Sequence, residues 1–172
     1  MNPTFLPLVA VFSLVLTNVP KDDSPDTSTV VTVENQRVKA LFESMRQKTY
    51  QGIEFPRLDL SDVPALLEYA DNTRTLNCFP TNLESSQHQG ECSEGMVALW
   101  LIEGVRQGGR YPSLNPLCFK KGVQTKDWNQ ASEDNHKEVA QAYRAWWSKA
   151  KKLLPQEAKA LLPLQGTDLS WH

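Results

Sequence analysis

The chain has 172 residues, 40% of them hydrophobic and 22% charged, which is ordinary composition for one domain with a real core. Its formal net charge of -2 excludes the basic footprint of a nucleic-acid binder. The three cysteines, Cys78, Cys92 and Cys118, lack zinc-ligand spacing and read first as small buried hydrophobes; export would permit one disulfide, with one thiol left over.

Residues 1–19 contain "FLPLVAVFSLVLTNV", an apolar run short for a membrane span and suited to a signal-peptide h-region. The preceding "MNPT" carries no Lys or Arg, and no clean A-x-A site follows. Export to the periplasm or cell envelope is expected. An uncleaved anchor through residues 5–19 is the rival reading, and it would be the chain's sole membrane contact. Residues 20–33 are polar and Pro-containing and read as a linker, with "TVVTV" as a short stretch of strand-like alternation. Residues 34–172 then form a single helical domain.

In "ENQRVKALFESMRQKTY", Val38, Leu41, Phe42 and Met45 recur at the spacing of one helix face. Gly52 and Pro56 stop that pattern. "LSDVPALLEYADN" predicts a second helix capped by Ser61 or Asp62, with Pro64 tolerated in its first turn and Val63, Leu66, Leu67 and Ala70 facing inward. A polar connector follows, tied to the core by Leu76 and Phe79. "MVALWLIEGVRQGG" is apolar on nearly every side, so it belongs in the middle of a bundle. It starts near Gln89 to Cys92 and ends at Gly108 and Gly109, which accept a left-handed cap. "RYPSLNPLCFKKG" reads as a turn with one short helical turn. A long helix runs from Ser132 through Val139, Ala142, Tyr143 and either Trp146 or Trp147 to Leu153, capped by Ser132 with Asp134 or Asn135. "QEAKALL" adds a last short helix and "PLQGTDLSWH" an irregular tail. The fold class is all-α, built of antiparallel HEAT-like helix pairs.

Glu103 and Arg106 lie three apart on one face of the buried helix. A carboxylate there needs a partner, and Arg106, Arg74 or Arg110 can supply it. The structural reading is a clamp that ties this helix to the "RYPSLNP" loop. The functional alternative is a general acid whose pKa burial would raise. Cys92, if it sits in a first helical turn, would have a depressed thiol pKa, and with His88 it forms the best nucleophile candidate. The bland role for Ser85, Ser86 and Glu91 is capping and loop fixing. Trp146 and Trp147 are adjacent, so one packs inward and the other is a candidate contact for a protein partner or a sugar. Residues 137–159 carry a lysine-rich face beside them. His136 and His172 are isolated, and no P-loop, GxGxxG, GxSxG or HExxH pattern occurs. No cofactor and no metal are therefore expected.

The segments "VPALLEYADNTRTLNCFPTN" and "GMVALWLIEGVRQGGRYPSLNPLC" resemble a family of short, exported, uncharacterised proteins of Bacteroidota type, many of them lipoproteins. The corresponding stretches are residues 63–70, 80–86, 98–106, 142–147 and 163–171, so the resemblance spans most of residues 36–172. It carries no activity. This chain lacks the lipoprotein cysteine after its apolar leader, which puts lipid anchoring in doubt. The resemblance favours the clamp reading of Glu103. Together these readings point to a non-enzymatic, exported interaction or structural module of the cell envelope with a protein partner. A hydrolase using Cys92/His88 or Glu103 and a glycan-binding module with a tryptophan platform are the alternatives.

Overall fold

A computed structural model describes residues 27–81, 90–123 and 126–172, with side chains from residue 35 onward. The described elements are helices α1 (Thr27–Arg46), α2 (Val63–Tyr69), α3 (Glu94–Arg106), α4 (Trp128–Glu133), α5 (His136–Ala150) and α6 (Pro155–Ala160) and strands β1 (Thr75–Leu76), β2 (Cys92–Ser93), β3 (Cys118–Lys120) and β4 (Leu169–Trp171). The fold is mainly helical, and the all-α expectation needs correcting. β1 pairs antiparallel with β2, and β3 with β4, placing Leu76 opposite Cys92 and Phe119 opposite Ser170. Strands of two or three residues are too short to show period-two alternation, so "TLNCF" reads as connector and "DLSWH" as irregular tail, and the short helical turn expected within "RYPSLNPLCFKKG" is instead strand β3.

α3 is the centre. Twelve of its thirteen residues, Glu94 to Val105, are buried. It packs against α2, α5 and α6. It starts later than the sequence predicts, at Glu94, because Ser93 is the cap and accepts from Met96 N–H at 3.3 Å. It ends where Gly108 and Gly109 turn to φ of 88° and 82°. Their N–H groups return to Val105 and Gly104 carbonyls at 3.0 and 2.9 Å, which satisfies the last turn. Two glycines within α3 let neighbours close in. A Cβ on Gly95 would meet the His136 ring and lie 2.7 Å from the Ala70 carbonyl. One on Gly104 would meet the Phe55 ring and lie 2.7 Å from the Arg110 carbonyl.

α1 buries Val38, Phe42 and Met45, the expected face. It starts at Thr27, inside the stretch read as linker, and takes up "TVVTV" as helix. Extending a helix adds one hydrogen bond per residue without a new nucleus, which outweighs the small penalty of β-branched residues. A 3-10 turn, Leu60–Asp62, leads into α2. Its cap is Asp59, which accepts from Ser61 N–H at 2.8 Å while Asp62 accepts from Asp59 N–H at 2.9 Å. No described helix is long and apolar enough to cross a membrane. Residues 1–19, with the signal-peptide or anchor reading, lie outside the described residues.

The helix predicted from Ser132 is two helices. Ser132 is buried inside α4, and its hydroxyl accepts from Cys118 N–H at 2.9 Å. Asn135 donates to the carbonyls of Cys118 and Ala131 at 3.1 and 2.9 Å. These residues do not cap a continuous helix. They stitch the α4–α5 corner to β3. The cap of α4 is Asp127, accepting from Gln130 N–H at 3.0 Å.

Candidate functional site

α3, α5, α6 and β4 converge on Glu103. Arg106 donates to both its oxygens, Nη2 to Oε1 at 2.6 Å and Nε to Oε2 at 3.0 Å. Gln107 adds a bond to Oε1 at 3.0 Å, and the Tyr143 hydroxyl one to Oε2 at 2.7 Å. Trp171 Nε1 donates in turn to the Tyr143 hydroxyl at 2.8 Å, and Arg106 Nη1 reaches the Lys159 carbonyl at 2.8 Å. The Glu103 and Arg106 side chains are only 8% and 12% exposed. A carboxylate offers about four acceptor sites, and here four donors fill them. Glu103 has no free lone pair to take a proton from a substrate. The links run to α5, α6 and β4, so the expected tie to the "RYPSLNP" loop is replaced by ties to the C-terminal elements. Arg74 instead lies 3.8 Å from Glu94.

Residues 161–167 separate two clefts here. One, of about 390 Å³, has Glu103 at its base, with Lys121, Gly166, Ser170 and Trp171 around it. The other, of about 340 Å³, is a groove along α5 with Ala142, Ala145, Trp146, Leu162 and Pro163 as apolar walls and Lys149 at its edge. Trp146 is 5% exposed and is the inward member of the adjacent pair, while Trp147 is half-buried against the core. The rings of the two lie 5.7 Å apart. The Trp146 indole N–H is buried and has no hydrogen-bond partner among the described residues.

A second cluster lies where β2, α2 and the α4–α5 corner meet. His136 Nε2 contacts the Ala70 carbonyl at 2.7 Å, and Nδ1 lies 3.5 Å from both Glu133 Oε2 and Ser93 Oγ. Burial works to lower the His136 pKa, but the bonds to Glu133 and the Ala70 carbonyl outweigh it and raise it. Glu133 is likewise disfavoured by burial, yet His136 and Ser93 N–H bring its pKa below the ordinary carboxylate value. Ser, His and Glu are therefore close, but not as a nucleophile and its base. A catalytic histidine uses one nitrogen for the nucleophile and the other for the acid. Here both groups face Nδ1, Nε2 is taken by a backbone carbonyl, and the serine hydroxyl caps α3.

Cys92 lies on β2, outside the helix. Its thiol donates to the Pro116 carbonyl at 3.3 Å, and burial pushes its pKa far up. The helix-dipole activation expected for it is absent because the thiol precedes the cap. His88, Ser85 and Ser86 lie outside the described residues. All three cysteines are free thiols, with Cys78 half-buried and the other two buried. Among the described residues no cluster of His, Cys, Asp and Glu is arranged to hold a metal.

Sequence reasoning missed two further buried acids. Glu94 receives Arg46 on both oxygens at 2.7 and 2.8 Å and Asn72 at 2.6 Å. Asp62 receives Arg37 on both oxygens at 3.0 and 2.6 Å. Glu94 carried a signal, being an acid in the first turn of the most apolar helix. Its partner lies 48 residues away, a distance no local pattern spans.

A sequence profile of the family described as "Domain of unknown function (DUF4943)" matches residues 32–172, and the chain belongs to that family. No curated protein matches the chain, and no solved structure does.

Proposed function

We propose that this member of the family is an exported, non-catalytic helical module of the cell envelope that holds a protein partner on the corner between α5 and α6. The observation that carries the reading is exposed apolar surface bracketing α6. Leu153 and Leu154, at the α5–α6 corner, are 41% and 70% exposed, and Leu162, just past the C-terminal end of α6, is 53% exposed. Large apolar side chains left exposed close together in sequence are candidates for a contact surface. Lys149, Lys151, Lys152 and Lys159 flank them in sequence and take part in no ion pair among the described residues. Trp147 adds half-buried aromatic surface on the same helix. Inside the fold, Asp62, Glu94 and Glu103 are each consumed by an arginine, which moves recognition to the surface. The apolar run of residues 5–19 supports export. The packing of α2 on the more buried α3 supports a HEAT-like pair at this end of the domain.

Site-specific photo-crosslinking in the cells that make the protein tests this. A crosslinker at Leu154 should give one discrete protein adduct, lost in Leu162→Asp. A crosslinker at the exposed Lys39 on α1 should not give it. Adducts that are the same at both positions, or adducts with lipid, would sink the proposal. A cytoplasmic partner would remove its envelope part.

A glycan-binding reading has its own observation. Trp128 is 42% exposed, stacked on His172, and follows Asp127 at the edge of a polar cleft of about 300 Å³. Asn129 and Gln130 line that cleft, and Asn129 Oδ1 is a buried acceptor without a partner among the described residues. Titration with oligosaccharides should then change tryptophan emission in the wild type and not in Trp128→Ala. An unchanged spectrum at millimolar sugar would remove this reading.

A further inference from the structure

We propose that His136 is a two-position pH switch. When it is protonated, Nδ1–H donates to Glu133. When that proton is lost to solvent, Nδ1 accepts from the Ser93 hydroxyl, and Glu133 is released into the wall that two clefts share.

The ring is held so that only one of its nitrogens can titrate. Nε2 lies 2.7 Å from the Ala70 carbonyl. A carbonyl only accepts, so Nε2 keeps its hydrogen in both charge states. Gly95 makes this contact possible, because a Cβ there would run into the ring and into the same carbonyl. Nδ1 is then the titrating atom, and it lies 3.5 Å from Glu133 Oε2 and 3.5 Å from Ser93 Oγ. Both distances are longer than a good hydrogen bond, so either partner has room to close in. The two partners require opposite states. A carboxylate only accepts and needs Nδ1–H, whereas a hydroxyl can donate to a bare Nδ1.

The exchange changes what holds Glu133. Its Oε1 accepts from Ser93 N–H at 3.0 Å, and the Ser93 hydroxyl is also within its reach. With His136 charged, Nδ1–H, the Ser93 hydroxyl and Ser93 N–H all serve the carboxylate. With His136 neutral, the hydroxyl turns to Nδ1 and Ser93 N–H alone remains of the three. The Ser93 oxygen accepts from Met96 N–H throughout, so the cap of α3 is kept. Glu133 and Thr73 line both the polar cleft, with Glu91 and Asp127, and a neighbouring cleft, with Asp71 and Lys137. Loss of the proton therefore makes the shared wall more negative and its carboxylate freer to move.

The other ionisable groups nearby are engaged elsewhere or point to water. Asp71, past the end of α2, pairs with Arg144. Glu94, on α3, is held by Arg46 and Asn72. The Cys92 thiol, on β2, donates to the Pro116 carbonyl, and Lys137, next along α5, is exposed. Burial opposes the charged ring, but Glu133 and the Ala70 carbonyl raise its pKa, so the exchange falls above about pH 6.5.

Side-chain NMR of the whole chain from pH 5 to 9 tests the switch. The His136 and Glu133 signals are those missing from His136→Gln and Glu133→Gln. Long-range 1H–15N spectra should show neutral His136 as the Nε2–H tautomer, and the Glu133 carboxyl carbon should step at the His136 midpoint. Ser93→Gly removes the partner of the neutral ring and should raise that midpoint by about half to one pH unit, the worth of one net hydrogen bond. Glu133→Gln removes the partner of the charged ring and should lower it by about one unit or more. Glycine keeps most of a helix cap's value, and Ser93→Ala, which also lacks the hydroxyl, should move the midpoint the same way. A Ser93 that only caps α3 would leave the midpoint where it is. A midpoint unchanged or lowered in both Ser93 variants would overturn the proposal, since the hydroxyl would then serve Glu133 in both states. So would an Nδ1–H neutral tautomer, a Glu133 carbon without the step, or a ring that does not titrate in this range. The last three are read in the wild type, so they decide the matter even if a variant fails to fold.

Discussion

The Tyr143 hydroxyl donates to Glu103 Oε2 at 2.7 Å, joining α5 to α3 across 40 residues of chain. Tyr143 is fully buried, and burial followed by the adjacent carboxylate raises its phenol pKa well above the ordinary value. The hydroxyl therefore stays protonated and remains a donor, while it accepts from Trp171. One side chain thus couples the central helix to the C-terminal strand. Removing one partner from a buried pair costs about 3–5 kcal/mol. Denaturant unfolding of Glu103→Gln and Arg106→Met should show losses of that order. Tyr143→Phe leaves the Trp171 donor unpaired and Glu103 Oε2 with Arg106 Nε as its one remaining donor, and should cost about 1–3 kcal/mol. The Glu103→Gln/Tyr143→Phe double mutant should lose clearly less than the sum of the two. Near-wild-type stability in all three single variants would mean that the network is not holding the fold, and Glu103 at the base of its cleft would return as a site candidate.

α1 is fastened by two arginines of unequal burial. The Arg46 side chain is 23% exposed and meets a Glu94 carboxylate that is fully buried. The Arg37 side chain is 44% exposed against the buried Asp62. Removing Arg46 leaves Glu94 to Asn72 and the distant Arg74, so Arg46→Met should destabilise by about 3 kcal/mol. Arg37→Met should cost about 1 kcal/mol, because water can replace the half-exposed guanidinium. Hydrogen exchange distinguishes the outcomes by place. Arg46→Met should speed exchange at the N-terminal end of α3 as well as in α1. Equal effects of the two variants would contradict the burial argument.

What the sequence revealed, and what it did not, follows from range. Val38, Phe42 and Met45 announced the buried face of α1, and "MVALWLIEGV" announced the central helix, because periodicity and all-round hydrophobicity are local signals. Glu103 with Arg106 was legible because the pair lies within one helical turn. The Tyr143 and Trp171 ends of that network were not, since nothing near Glu103 in sequence points to residue 143. The break between α4 and α5 was hidden because Ser132 and Asn135 are good caps in isolation. Only the presence of β3 shows that they serve Cys118. The polar cleft beside Ser93 and Glu133 is assembled from three separate segments, residues 73–75, 91–93 and 127–133, so no spacing rule reaches it.

The His136–Glu133 pair gives the fold a pH window. His136 has a raised folded pKa, so its contribution is full below the unfolded value of about 6.5 and is lost as pH rises through the folded value. Glu133 has a lowered folded pKa, so its contribution is full above the unfolded value of about 4.3 and is lost as pH falls through the folded value. The groups facing the imidazole are Glu133, the more distant Asp71, the Ser93 hydroxyl and the Ala70 carbonyl. Unfolding midpoints measured from pH 4 to 9 should therefore be highest between the two unfolded values and decline on the alkaline side. In His136→Gln the alkaline decline should flatten. A midpoint that rises steadily to pH 9 would show that His136 is held neutral, with Nε2–H as its only donor.

The thiols follow burial. Burial pushes Cys118 up to about 12 and Cys92 further still, so neither supplies thiolate near neutral pH. Cys78 is half-buried, with its thiol against the Tyr50 carbonyl at 3.6 Å. In the native protein, maleimide should add once, at Cys78, and in denaturant it should add to all three cysteines, as read by intact mass and peptide mapping. The same burial would keep Cys92 and Cys118 reduced in an oxidising compartment, so exported protein should carry free thiols at both. Native-state modification of Cys92 at a rate like that of Cys78 would mean a reactive thiolate, and the reading of Cys92 with His88 as a nucleophile pair would have to be taken up again.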